Sequence, residues 1–226
     1  MKHTFVEKTR PGLMNVKAHA ATVSLQNLWR FQTKVLAALT DLQSDWRITG
    51  AIAPSSKSLS SALASMARGA DQILELGAGT GAVTQELFKL FPSRSIRAVE
   101  LQSRLATELK RKYPALNIVE GTAAAALDTY RRDGVTAVVS SLPFRSLPTT
   151  VRIQTVQSIC QYLNESPGSR FIQFTYGLRQ PFEVPSGFRW MRVKWIVGNL
   201  PPACIWLLTP IAGISDSLPR HIENGR

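Results

Sequence analysis

The sequence predicts a doubly wound α/β fold: a mostly parallel sheet with helices on both faces, ending in an antiparallel hairpin. Three observations predict it. Apolar runs and helix-period patterns alternate from residue 72 to 176, the arrangement that builds a parallel sheet. The first apolar run, Ile73 to Leu76, passes directly into Gly77, Gly79 and Gly81 and then into a helical pattern from Ala82. Two strand-like runs near the end, 188–197 and 203–209, have only Gly198, Asn199, Leu200, Pro201 and Pro202 between them. That is too short for a helical crossover, so these strands pair antiparallel.

In order, strands are expected at 72–76, 95–100, 116–120, 135–140 and 169–176, with helices at 82–91, 103–113, 123–132 and 149–163. Pro92 and Pro114 stop the first two of these helices, because proline lacks an N–H and clashes with the preceding turn. The glycine turn is the most informative segment. Without Cβ atoms its backbone turns sharply and admits a ligand closely. A strand, a glycine turn and a helix N-terminus together cradle a nucleotide-type ligand. The spacing is G-x-G-x-G with Glu75 ahead of it, neither the dinucleotide G-x-G-x-x-G nor a phosphate loop, since no Gly-Lys-Ser/Thr follows.

The 226 residues suit one domain with a small appendage: an N-terminal helical extension at 1–68, the α/β domain with the glycine turn at 69–212 and a tail at 213–226. A hydrophobic share of 44% with 19% charged residues is ordinary for a globular protein. The net charge of +12 is not. Residues 1–70 hold nine basic and three acidic side chains, 71–139 nine and eight, and 140–226 nine and four. An excess at both ends favours an anionic partner such as a membrane surface or nucleic acid. Two unmatched cysteines, Cys160 and Cys204, and three scattered histidines, His3, His19 and His221, suggest a reducing compartment and no metal site. No signal-peptide core is read in 11–28, and the apolar stretch 195–210 is interrupted by Gly198, Asn199, Pro201 and Pro202, so no span is expected.

Ahead of the domain, Leu25, Leu28, Trp29, Phe31, Val35, Leu36, Leu39 and Leu42 recur at helical spacing within about residues 24–45, with Arg30 and Lys34 between them. Such a stripe fits a helix packed on its own domain, and equally a basic helix lying among lipid headgroups.

Four further features fall beside the glycine turn. Glu100 ends the second strand nineteen residues after Gly81, where a carboxylate accepts hydrogen bonds from ribose hydroxyls. Gly121, Thr122 and Ala123 follow the third strand, with Thr122 offering a hydroxyl. The fourth strand ends in Ser140, Ser141, Leu142, Pro143 and Phe144, at the edge where ligands bind in such sheets. A loop at about 49–57 carries Ser55 and Ser56, placed to cap the next helix.

The string Glu75-Leu76-Gly77-Ala78-Gly79-Thr80-Gly81 looks like the first motif of the class I S-adenosylmethionine-dependent methyltransferases, a Rossmann-like fold with a seven-stranded sheet. Together with the loop from Gly50 to Ser56, the Ser140–Phe144 segment, Phe171 to Gly177 and Asn199 to Ala203, the chain resembles the bacterial phospholipid N-methyltransferases over about residues 25–210. These are relatives of the ribosomal-RNA adenine dimethylases. The resemblance implies S-adenosylmethionine as cofactor, S-adenosylhomocysteine as product, and transfer of methyl to phosphatidylethanolamine towards phosphatidylcholine. It implies cofactor contacts from Glu75, Gly77, Ala78, Gly79, Thr80, Gly81, Glu100, Leu101, Gly121, Thr122, Ala123 and Ser140, with Ser55 and Ser56 in a loop over the methionine end. An RNA dimethylase carries Asn-hydrophobic-Pro-aromatic at strand 4. Here Ser140 is read in place of that Asn, which counts against an adenine N6 acceptor and leaves the basic charge to be explained by lipid.

Methyl transfer to an amine requires close positioning and an unprotonated nitrogen. The reacting residues expected from this reading are Tyr176, as hydrogen-bond partner of the amine, and the turn of Ser141, Leu142 and Pro143, whose carbonyls orient its hydrogens. Arg145 and Arg179 are placed for the headgroup phosphate, and strand alternation puts Trp190, Arg192 and Lys194 on one face. The expected enzyme is cytoplasmic and held peripherally at the inner face of the membrane by its basic N-terminal helix. The alternatives are an RNA adenine-N6 methyltransferase, an ornithine-lipid methyltransferase, and a cofactor-binding scaffold without turnover.

Overall fold

The structure, a computed structural model, describes residues 57–130, 133–197, 199 and 202–211. The chain divides into two units, Met1–Leu42 and Gln43–Arg226, and everything described lies in the second. The amphipathic segment 24–45, the loop with Ser55 and Ser56 and the tail 213–226 fall outside the described residues.

The elements run α1 (Lys57–Met66), β1 (Gln72–Leu76), α2 (Ala82–Leu90), β2 (Ile96–Glu100), α3 (Ser103–Lys112), β3 (Asn117–Glu120), α4 (Ala123–Thr129), β4 (Thr136–Ser140), α5 (Thr149–Glu165), β5 (Arg170–Tyr176), β6 (Phe188–Ile196) and β7 (Ala203–Pro210). The strands form one seven-stranded sheet in the order β3-β2-β1-β4-β5-β7-β6. The pairs among β1 to β5 are parallel, and β7 runs antiparallel to both β5 and β6. The expected hairpin is therefore present, with its second strand inserted beside β5.

Strand alternation sends side chains to two cores. One holds Ile73, Val139 and Ile172 against Leu59 and Leu63 of α1, Leu87 of α2 and Leu109 of α3. The other holds Leu74, Val138 and Phe171 against Leu127 of α4 and Ile159 and Leu163 of α5. Each such side chain taken fully from water contributes about 1.5–3 kcal/mol. Arg170 fastens α1 to the sheet: its Nε donates to the Met66 carbonyl at 3.2 Å and its Nη2 to the Arg68 carbonyl at 2.6 Å. These are carbonyls at a helix C-terminus, where a cation is favoured.

Two expectations are corrected. The helix expected at 123–132 ends at Thr129 because Tyr130 turns inward. Its hydroxyl donates to the Ile73 carbonyl at 3.3 Å, and the Arg97 guanidinium carbon lies 4.9 Å from its ring centre. The stripe Trp190, Arg192, Lys194 does not share a face. The register on β7 slips between Arg192, opposite Trp206, and Lys194, opposite Ile205. This bulge inserts one residue and reverses the alternation beyond it, so Lys194 falls on the face opposite Arg192 and Trp195 joins Arg192's. Arg189, Arg192 and Lys194 remain exposed on an edge strand, where charge discourages pairing with another chain.

Candidate functional site

A cavity opens at the carboxyl ends of β1, β2, β3 and β4. Its walls are Gly77 to Thr80 from the turn after β1, Glu100 and Leu101 from the end of β2, Gly121 to Ala124 after β3, and Ser141 to Pro143 after β4. Most of the residues expected at the cofactor thus meet around one space. Gln102, Leu147 and, from α5, Val151, Gln154 and Thr155 also line it and were not foreseen. The signal for the helix residues was their i, i+3, i+4 spacing, which puts them on one face, but which face looks into the cavity is set by how α5 packs.

The turn after β1 is shaped by left-handed backbone. Gly79 has φ +56, and a Cβ there would meet nothing within 4 Å. Gly77, at φ +73, is packed instead: a Cβ would come 2.8 Å from Leu142 Cδ2. The first glycine thus lets the turns after β1 and β4 touch, and the second leaves room for a ligand. The Glu100 carboxylate bridges the next two segments. Its Oε2 accepts the Gly79 N–H at 2.8 Å and its Oε1 the Gln102 N–H at 2.9 Å. Each oxygen keeps acceptor capacity for a ribose hydroxyl. The Thr122 side chain caps α4 by accepting the Ala125 N–H at 3.2 Å, which leaves its hydroxyl proton to donate into the cavity wall.

Glu75 lies behind the turn, fully buried, and neither carboxylate oxygen has a hydrogen-bond partner within the usual geometry. Burial pushes its pKa up to about 7; the facing Thr84 hydroxyl and N–H pull it down, and the Glu100 charge adds to the rise. An unpaired buried carboxylate disfavours its own charge and is relieved by a nearby cation.

On the acceptor side, Ser140 is fully buried and its hydroxyl accepts the Leu142 N–H at 3.2 Å, so it supports the turn from behind. Counted back from Pro143, the motif position assigned to Ser140 belongs to Ser141, which does line the cavity. The Leu142 carbonyl, expected to orient the amine, is already occupied: it accepts the Phe144 N–H at 3.0 Å and the Gln173 Nε2 at 3.1 Å. Phe144 is only 2% exposed and packs 4.6 Å, centre to centre, from Phe182. Tyr176 stands outside the cavity lining, half-buried, stacked edge-on at 5.5 Å to Phe174. Burial raises its pKa, against a hydrogen bond with Asn199. Arg145 and Arg179 are exposed, and neither lines the cavity. Among the described residues no cluster of histidine, cysteine or carboxylate side chains is arranged to hold a metal.

Comparison with known proteins adds three findings. A family model described as ribosomal RNA adenine dimethylase matches residues 59–141. Among solved structures, the glycopeptide N-methyltransferase MtfA, complexed with S-adenosylmethionine, is 13% identical over 71% of this chain and 96% of that one, with a TM-score of 0.51. TrmN from Thermus thermophilus is 14% identical over 69% of this chain and 49% of that one, with a TM-score of 0.52. The chain has the fold of S-adenosylmethionine-dependent methyltransferases. It spans about half the length of TrmN. No curated protein sequence matches it.

The cavity fits S-adenosylmethionine on its own chemistry. Gly79 leaves space for close approach, Glu100 offers acceptors to a ribose, and Glu75 places an unpaired carboxylate behind the turn. Leu101, Gly121 and Thr122 form the remaining wall, where the adenine would lie.

Proposed function

We propose that this chain transfers a methyl group from S-adenosylmethionine to the amino nitrogen of a phospholipid headgroup, the phosphatidylethanolamine type. The burial of Phe144 carries this reading. An enzyme that methylates a base must take it out of its stack and hold it between aromatic or apolar faces. The ring that the strand-4 motif would offer is spent in the core among Phe171 and Phe182. Among the described residues the acceptor wall, Ser141, Leu142, Pro143, Leu147 and Val151, contains no aromatic ring. It suits a small aliphatic amine on an apolar carrier.

Bound S-adenosylmethionine would supply an electrophilic methyl on a sulfonium. The chain's own task is to position the amine, exclude water, and accept the nitrogen in its unprotonated form. In this reading Ser141 and Pro143 fix the approach of the nitrogen, and the Tyr176 hydroxyl, at the end of β5 beyond the described lining, is the hydrogen-bond partner assigned to it. Among the described residues no histidine lines the cavity, and in this reading the proton passes to water. Arg145 and Arg179 attract the headgroup phosphate, and the basic N-terminal segment holds the enzyme at the inner face of the membrane.

The family match favours a second reading, methylation of adenine N6 in RNA. It is backed by the description of that family and by the net charge of +12. The matched segment covers α1 through β4 and ends at Ser141, so it covers the cofactor half and stops before Leu142, Pro143 and Phe144. Mass spectrometry of lipids from cells expressing the chain tests the first reading. Methylated aminolipids are expected, and the product identifies phosphatidylethanolamine or ornithine lipid as acceptor. Unaltered lipids alongside newly methylated ribosomal RNA would establish the second.

A further inference from the structure

The Leu142 turn is held from three strands. The Ser141 N–H donates to the Leu76 carbonyl of β1 at 3.0 Å, and the Leu142 N–H to the Ser140 hydroxyl of β4 at 3.2 Å. The third tie comes from β5, where Gln173, opposite Ser140 in the parallel register, donates its Nε2 to the Leu142 carbonyl at 3.1 Å and to the Phe174 carbonyl at 2.9 Å. Gln173 is 2% exposed, and its Oε1 has no hydrogen-bond partner. Exchanging the amide's oxygen and nitrogen would set Oε1 against two carbonyls, so a single orientation is allowed.

An unpartnered buried amide oxygen costs about 1–3 kcal/mol. An apolar side chain of the same size would avoid that cost, so the contribution of Gln173 lies in what its Nε2 holds. Leu142 in turn fills the space above Gly77. The chain of contacts Gln173, Leu142, Gly77 thus couples the acceptor turn to the donor turn.

We propose that Gln173 is a positioning residue for methyl transfer: its amide fixes the Leu142 carbonyl and so sets the distance between the acceptor turn and the glycine turn. This rests on the reading that transfer takes place at the Ser141–Pro143 turn. Loss of a near-attack arrangement slows the reaction without weakening cofactor binding.

The test uses Gln173→Leu and Gln173→Glu in the full chain. For Gln173→Leu, which removes both the donor and the orphan oxygen, we expect unchanged or higher thermal stability and unchanged S-adenosylmethionine affinity. Its kcat should fall about tenfold or more, with KM little altered. Gln173→Glu should be as slow at pH 8 and should recover relative to wild type as the pH falls, because a protonated carboxyl donates to the Leu142 carbonyl and a carboxylate does not. Wild-type kcat in Gln173→Leu, or no acid recovery in Gln173→Glu, overturns the proposal. Hydrogen exchange separates this from failure of the functional reading. The Phe144 amide, which shares the Leu142 carbonyl, should exchange faster in Gln173→Leu whatever the acceptor, and unchanged exchange there also overturns it.

Discussion

The Gly79 backbone N–H donates to Glu100 Oε2 at 2.8 Å, so the glycine turn after β1 and the carboxylate ending β2 form one unit. Glu100→Gln keeps the size but removes the charge and one acceptor oxygen. It is expected to weaken S-adenosylmethionine binding about tenfold or more, since hydrogen bonds to a charged group contribute about 1.5–3 kcal/mol. Isothermal titration checks it, and unchanged affinity would remove Glu100 from the cofactor site.

Gly79→Val isolates the open side of that turn. A Cβ there meets nothing within 4 Å, so the variant should fold, at a cost of about 1–2 kcal/mol for left-handed backbone. Cofactor binding should be lost. A folded Gly79→Val protein with wild-type affinity would refute the assignment of the turn.

Glu75 makes the unliganded protein sensitive to pH. Its folded pKa of about 7 lies above the ordinary 4.5. Its contribution to stability is therefore fully present below about pH 4.5 and is lost as pH rises through 7. That difference is about 3 kcal/mol between the two limits. Glu75→Gln should melt higher than wild type at pH 8 with the gap closing at pH 5. Cofactor affinity in wild type should strengthen as pH rises through 7, because the cationic ligand favours the carboxylate. Glu75→Gln should lose that dependence.

Phe144 distinguishes core from base-stacking surface. Phe144→Ala should cost about 3–5 kcal/mol of stability, as for any ring buried against Phe171 and Phe182. Phe144→Leu should destabilise less and keep methyl transfer. Loss of transfer in a Phe144→Leu protein of unchanged stability would point to stacking on a substrate ring.

Tyr176→Phe should slow methyl transfer and leave cofactor binding intact, as steady-state kinetics beside titration would show. Wild-type turnover would assign Tyr176 to the core with Phe174 alone.

The donor half was legible because its chemistry is mostly local. The glycines at alternate positions and the prolines closing the helices act within a few residues, and the acidic residue ending the next strand follows Gly81 by nineteen residues, one helix and one strand further on. β1 runs over Gln72–Leu76 and β2 ends at Glu100, both as read from the sequence. Three features depended on contacts distant in sequence. Tyr130 left its helix for Arg97 and the Ile73 carbonyl. The slip between Arg192 and Lys194 reversed a face that simple alternation keeps constant. The Leu142 carbonyl was engaged by Gln173, thirty-one residues away. No spacing rule announces such a bond.

The most direct test offers both acceptors at once. Labelled S-adenosylmethionine, phosphatidylethanolamine vesicles containing anionic lipid, and ribosomal RNA are incubated with the full chain at one salt concentration, and label is counted in each fraction. Label is predicted in the lipid fraction. Label confined to RNA would contradict the lipid reading and establish the adenine acceptor instead.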